Sequence, residues 1–282
     1  MFLKILVLQS WHGISTEGGL QMSSSLRLCI LAGGSPTGGS TIEAILGKFF
    51  DGNHIPNAEI ACMITTRPDA GVISKATACG VFISDIFTVP RSEFPTDESV
   101  DEKILNICEE MGANAIWQSG WLRRTGKSVI KRFSGRIWNQ HPGALNPTAR
   151  LYKGHRMDFG GKHMHGIVPV AAALYFAQLS DNPDARFARA TAHLLTEDEN
   201  DIDGGKIIGE QRVQIYPRID TPKKLQDRLK PAEQLLHASM IAYLATHGHF
   251  MHYPSSVIVN SGADGDHMVT ARDRAIAEYP NG

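Results

Sequence analysis

The chain has 282 residues, 42% of them hydrophobic and 20% charged, enough apolar mass for one sizeable globular core. Its 28 basic and 29 acidic residues leave a formal net charge of −1, which excludes a global attraction to nucleic acid or an anionic membrane, so any anion site must be local. No apolar run approaches the roughly 20 residues of a membrane span. Cys29, Cys62, Cys79 and Cys108 are scattered along the sequence without a C-x-x-C pair. That spacing points to buried thiols in a reducing, cytoplasmic setting rather than to a zinc knuckle or a disulfide framework.

Residues 1–24 contain one short apolar patch broken by Lys4, then Met22 and a serine run, and are expected to be an extension outside the fold. The domain is expected to span 25–253. "LRLCILA" (26–32) reads as a strand, "GGSPTGGS" as a glycine loop, and "TIEAILGKFF" as a helix by the spacing of Ile42, Ile45, Leu46 and Phe49. "EIACMITT" (59–66) is the next strand, "GVISKATACG" a short helix ending at Gly80, and "GVFISDIFTV" a further strand. "DESVDEKILNICEEMG" is helical, "ANAIWQS" (113–119) a strand, "KSVIKRF" a short helix and "RIWN" a strand. Apolar strands alternating with helices predict an α/β fold, a three-layer, doubly wound and mainly parallel sheet. Residues 146–186 are irregular except for a helical "PVAAALYFAQL", and read as an insertion. "RFARATAHLL" and "KIIGEQRVQI" are strands around "TEDENDIDGG". A last helix from about Thr221 to Thr246 holds Pro231, where a kink or break is expected. The tail, 254–282, is rich in Gly, Asp and Ser and is expected to carry little structure.

Three stretches carry candidate chemistry. Gly33, Gly34, Gly38 and Gly39, between a strand and a helix, gather free N–H groups and a helix dipole at one spot, with Ser40 and Thr41 able to cap the helix or bind an oxyanion. The loop is neither a Walker loop nor a clean G-x-G-x-x-G, so a structural turn and a phosphate site stand level. Asn139 and His141, two apart at a strand end, point to one side. An amide and an imidazolium there can donate two hydrogen bonds to one oxyanion, although an isolated pair of this kind is more often a turn stabiliser. Asp203 precedes two glycines in an acidic hairpin. It is either a solvated turn residue or, close to His141, a carboxylate that keeps the ring protonated and orders a proton-relaying water.

Taken in order, "GGSTIEAIL", "SGWLRR", "RIWNQHPGAL", "ATAHLLTEDENDIDGG" and "DRLKPAEQLL" give the chain, from Leu26 to Leu244, a close resemblance to the folate-dependent formyltransferases. The resemblance implies the formyltransferase fold, with a Rossmann-like N-terminal half. It also implies a transferase of one-carbon metabolism with 10-formyltetrahydrofolate as co-substrate and no metal. The implied reaction passes the formyl group to the amine of glycinamide ribonucleotide in purine biosynthesis through a tetrahedral intermediate. Asn139 and His141 would stabilise that intermediate and Asp203 would assist proton transfer. Gly39, Ser40, Thr41 and Lys230 become phosphate contacts, and Glu233 meets the ribose hydroxyls. Leu122 and Arg123 lend backbone to the folate pocket. His193 becomes a partner behind the acidic loop, unless it is a satisfied core histidine. The implied partner is a small phosphorylated amine, with neither nucleic acid nor membrane.

The sequence also departs from the family. Thr41 stands for the usual Asn, Pro36 lengthens the glycine loop, and "GALNP" replaces Ser-Leu-Leu-Pro. The Gly-x-His-x-His segment is matched only through Gly161, His163 and His165. Asp97 stands where the family places an Arg near the start of the third helix, read as the holder of the acceptor's carboxylate. Either Arg91 or Arg67 replaces it, or the acceptor is another phosphorylated or sugar-nucleotide amine. A non-catalytic nucleotide- or folate-binding module on the same fold is the remaining reading, and the intact trio argues against it.

Overall fold

The computed structural model describes residues 25–50, 55–148, 151–198, 201–254, 259 and 262–282. The expectation for residues 1–24 lies outside them. Seven strands form one sheet in the order β3-β2-β1-β4-β5-β6-β7. They are β1 (Leu26–Ala32), β2 (Ala58–Thr65), β3 (Ile86–Thr88), β4 (Ala115–Ser119), β5 (Ile137–His141), β6 (Phe187–Leu194) and β7 (Ile207–Gln214). The first five are mutually parallel, while β6 and β7 add as antiparallel strands at one edge. The helices are α1 (Ser40–Phe50), α2 (Gly71–Ala78), α3 (Asp97–Glu110), α4 (Lys127–Arg132), α5 (Val168–Leu179), α6 (Pro222–His247) and α7 (Gly262–Glu278).

Strand β1 shows why the sheet must be covered twice. Leu26, Leu28 and Ile30 pack into one apolar layer with α1, α2, α5, α6 and α7. Cys29 and Leu31 pack into the opposite layer with α3 and α4. An apolar strand buried on both faces is the mark of a central parallel strand, and the result is the expected three-layer α/β sandwich. The cysteines, scattered in sequence, converge in the second layer. The Sγ atoms of Cys29, Cys62 and Cys108 lie within 4.8 Å of one another, all buried, whereas Cys79 is partly exposed.

Strand order reverses between β1 and β4, which sets the loops that follow them side by side. Gly33 N–H donates to the Ser119 carbonyl at 3.1 Å. A Cβ at Gly33 would stand 2.3 Å from the Gly120 carbonyl oxygen, so only glycine permits this approach. Such a switch point opens a crevice at the carboxyl ends of the strands.

Three expectations change. The strand expected over "GVFISDIFTV" shrinks to three residues after a 3-10 turn at Ile83–Asp85. As the sheet edge it pairs with β2 alone, over Met63–Thr65. Helix α6 runs through Pro231 without a break, started by the Thr221 cap and ended by Gly248 at φ 77°. One lost backbone bond at the proline is outweighed by the burial of Leu225, Leu229, Leu236, Ile241 and Leu244 on one face. The tail is not structureless. Its α7 buries Met268, Ala271 and Ala275. The reason is α5, buried continuously from Val168 to Ala177. A helix apolar all round needs cover on every side, and the small residues of α7 supply it at close range. Among the described residues no helix is long and apolar enough to cross a membrane.

Candidate active site

The switch-point crevice widens into a cleft of about 1000 Å³, bounded by the glycine loop, the β4 and β5 ends, residues 161–166, and α6. A second pocket of about 200 Å³ adjoins it, lined by the loop after β4, by Leu194–Thr196 and by the acidic loop. Asn139 and Asp203 line both chambers, as do Leu122 and Arg123. The two chambers therefore meet at the residues expected to carry the chemistry.

At that meeting point Asp203, held at φ 61°, lies between two imidazoles. Its Oδ2 is 3.6 Å from His141 Nδ1 and its Oδ1 is 3.5 Å from His193 Nε2. Gly161 N–H donates to Oδ2 at 3.0 Å. Burial alone would raise the Asp203 carboxyl, but His141, His193 and the Gly161 N–H hold it below the ordinary carboxylate value. His141 Nε2–H donates to the Phe159 carbonyl at 2.7 Å. Both of its ring nitrogens thus face oxygen. His193 differs. Burial disfavours its imidazolium and holds its pKa down. Its Nδ1–H donates to the Leu194 carbonyl at 3.1 Å, which leaves Nε2 to accept from Asn139 Nδ2 at 3.3 Å.

Gln140, between the two candidate residues on β5, turns to the opposite side. Its Oε1 accepts from Ser119 Oγ at 3.0 Å, and its Nε2 donates to Glu233 on α6. Thr41 Oγ1 donates to the same Glu233 oxygen at 3.3 Å. Burial pushes the Glu233 carboxyl up to about 7, against the pull of Lys230 and of the Thr41 hydrogen bond. Gly39 takes φ 92°, a conformation that favours glycine, and leads directly into α1.

Residues 27–241 match the family model described as Formyl transferase. The chain belongs to the formyl transferase family. Among curated relatives, phosphoribosylglycinamide formyltransferase of Mycobacterium tuberculosis is 28% identical over 80% of this chain and 88% of its own length. The Haemophilus influenzae protein of the same name is 23% identical over 73% and 82%. Two solved structures share the fold. Glycinamide ribonucleotide transformylase 1 from Symbiobacterium toebii superposes with a TM-score of 0.63 at 22% identity, covering 88% of this chain and all of that one. Phosphoribosylglycinamide formyltransferase from Coxiella burnetii gives 0.63 at 23%, covering 86% and 95%.

In this formyltransferase fold the residues expected from the sequence gather in two groups. Asn139, His141, Asp203 and His193 form one cluster. Gly39, Ser40, Thr41, Lys230 and Glu233 line the large cleft and not the small pocket. The Arg123 side chain turns away to Asp101 Oδ1 and the Asp97 carbonyl, both at 2.7 Å. Arg91 is tied to Asp97 at 2.7 Å, whereas Arg67, paired with Asp69, lines the cleft. Three contributors carried no side-chain signature: the Phe159 carbonyl, the Gly161 N–H and the reversed Gln140. The first two act through backbone, and a glycine in the family's Gly-x-His-x-His segment was the only hint of the second.

Proposed function

We propose that this protein transfers the formyl group of 10-formyltetrahydrofolate to the amine of glycinamide ribonucleotide, in purine biosynthesis. The carrying observation is the junction of two chambers at Asn139 and Asp203, with His141 beside it on the wall of the larger one. The smaller pocket sets Trp121, Ile130 and Leu194 beside Gln118, Thr125 and Asp201, which suits a flat heterocycle with a polar edge. The larger cleft ends in the glycine loop with Ser40, Thr41, Lys230 and Glu233, which suits a phosphate and ribose hydroxyls. Relatives named for this acceptor align over most of the chain.

The neutral amine forms a bond to the formyl carbon, and negative charge develops on the formyl oxygen. Asn139 has two amide protons, of which His193 takes one, so the other is available to that oxygen. His141, its Nδ1 beside Asp203, would add a second donor once its Nε2–H turns from the Phe159 carbonyl to the developing oxyanion. The bond from carbon to the folate nitrogen then breaks. The proton lost by the amine moves to that nitrogen through a water ordered by Asp203.

Asp97 does not weigh against this acceptor. In glycinamide ribonucleotide the glycine carboxyl is already an amide, so the acceptor presents no carboxylate for an arginine to hold. Spectrophotometric formyl transfer from 10-formyl-dideazafolate, with glycinamide ribonucleotide compared against other phosphorylated and sugar-nucleotide amines, tests the assignment. Turnover of the ribonucleotide is expected. Transfer to another amine with none to the ribonucleotide overturns it.

A further inference from the structure

Helix α7 lies beyond residues 27–241, the part of the chain that the family model matches, yet it touches the backbone beside the candidate site. Arg272 is buried on α7, with 8% of its surface exposed. Its Nη1 and Nη2 each donate to the Gly160 carbonyl at 3.1 Å, and Nη1 also donates to the Asp158 carbonyl. Those carbonyls bracket Phe159, whose own carbonyl accepts from His141. The next residue, Gly161, donates to Asp203. One side of this four-residue strap is therefore held by a guanidinium and the other side touches both reacting side chains.

The strap has no ladder of its own. It belongs to neither helix nor strand, so its buried carbonyls need donors from elsewhere. Phe159 N–H is bound to the Ala144 carbonyl at 2.9 Å. The fully buried Asp158 carboxylate accepts from Asn146 N–H at 2.9 Å, from Gly160 N–H at 3.1 Å and from Arg156. Those bonds fix the strap, itself part of the 146–186 segment, to Ala144, Asn146 and Arg156, and Arg156 in turn reaches Asp201 of the acidic loop. Arg272 fixes it from α7, its rigid planar fork holding two carbonyls in one fixed geometry where the donors of an ammonium rotate on a flexible stem. A purely apolar contact would have covered α5 equally well, as Ala271 and Ala275 do on the same helix.

We propose that Arg272 is a positioning residue for formyl transfer: from α7 it fixes residues 158–161, and through their backbone it sets where His141 and Asp203 stand. The proposal rests on the reading of His141 and Asp203 as the reacting pair. A displacement of about 1 Å at such a site costs on the order of 100-fold in rate.

The test measures kcat and both KM values of the full chain with glycinamide ribonucleotide and 10-formyl-dideazafolate. Arg272→Ala and Arg272→Lys are each made in the wild-type and Asp203→Asn backgrounds. Arg272→Ala is expected to lower kcat by about 10- to 100-fold with both KM values within about threefold, and Arg272→Lys to recover part of the loss. In the Asp203→Asn background the alanine change should cost less than about threefold, because the pair it positions is already broken. An unchanged kcat, or the same fold loss in both backgrounds, overturns the proposal. Should Arg272→Ala fail to fold, Arg272→Lys carries the same comparison. An Asp203→Asn enzyme as active as wild type would instead refute the assignment of the reacting pair itself.

Discussion

Glu233 and Asp203 are both largely buried carboxylates on the wall of one cleft, and their surroundings drive them in opposite directions. Glu233, at the end read as the acceptor site, takes hydrogen bonds from Thr41 and Gln140, and burial lifts it to about 7 against the pull of Lys230. Asp203, at the transfer centre, faces two imidazoles and the Gly161 N–H and is held below its ordinary value despite a side chain only 10% exposed. Burial raises both acids; it prevails at Glu233 and is outweighed at Asp203 by the neighbours that favour the anion. In the proposed reaction, that contrast puts a fixed anion where the proton would be relayed and a carboxyl that titrates near neutrality where the sugar would be held.

The largest expected effect comes from neutralising the fixed anion. Asp203→Asn should lower kcat by about 10³-fold with little change in either KM, and His141→Ala should do the same, as steady-state kinetics will show. The stability of Asp203 has a definite sign as well. Its folded pKa is depressed, so its contribution is present above its unfolded value near 4 and lost as pH falls through the folded value. Urea melts should show the wild type losing an advantage over Asp203→Asn as pH drops below about 4.

The contrast sharpens at Glu233. Its folded pKa is raised, so the folded protein binds a proton the unfolded chain has released between the ordinary value of 4.5 and about 7. Stability should fall as pH rises across that window, and Glu233→Gln should remove this slope. The same ionisation should make the KM for the ribonucleotide fall as pH rises through about 7, since a carboxylate accepts from two hydroxyls. A flat KM profile in the wild type between pH 6 and 8 would break the comparison. The smallest effect is expected at Asp97. Restoring an arginine there with Asp97→Arg should leave the KM for the ribonucleotide within about twofold, because the Arg91–Asp97 pair is an exposed one.

Much of this was legible from residue order. The apolar runs of β1, β2 and β4 and the helical spacing of α1 and α3 dictated a doubly covered parallel sheet. Asn139, His141 and Asp203, some sixty positions apart, meet because β5, β6 and the loop after β6 are neighbours in the sheet. What sequence reading could not reach has a common cause. The Phe159 carbonyl and the Gly161 N–H act through backbone, which every residue possesses, so nothing in their side chains advertises them. Helix α7 has a weak sequence signal because its buried face is built largely from Ala271 and Ala275, small residues whose role comes from the need of α5 for cover. Gln140 gives no such signal because the alternation that aligns Asn139 with His141 points it the other way, toward Glu233.

The most direct measurement is formyl transfer to glycinamide ribonucleotide in single turnover, with both substrates saturating, by wild type and by Asp203→Asn. Transfer by the wild type is expected, with a rate about 10³-fold lower in the variant and the ribonucleotide bound comparably by both. Absence of transfer by the wild type, or an undiminished rate in the variant, contradicts the proposed function.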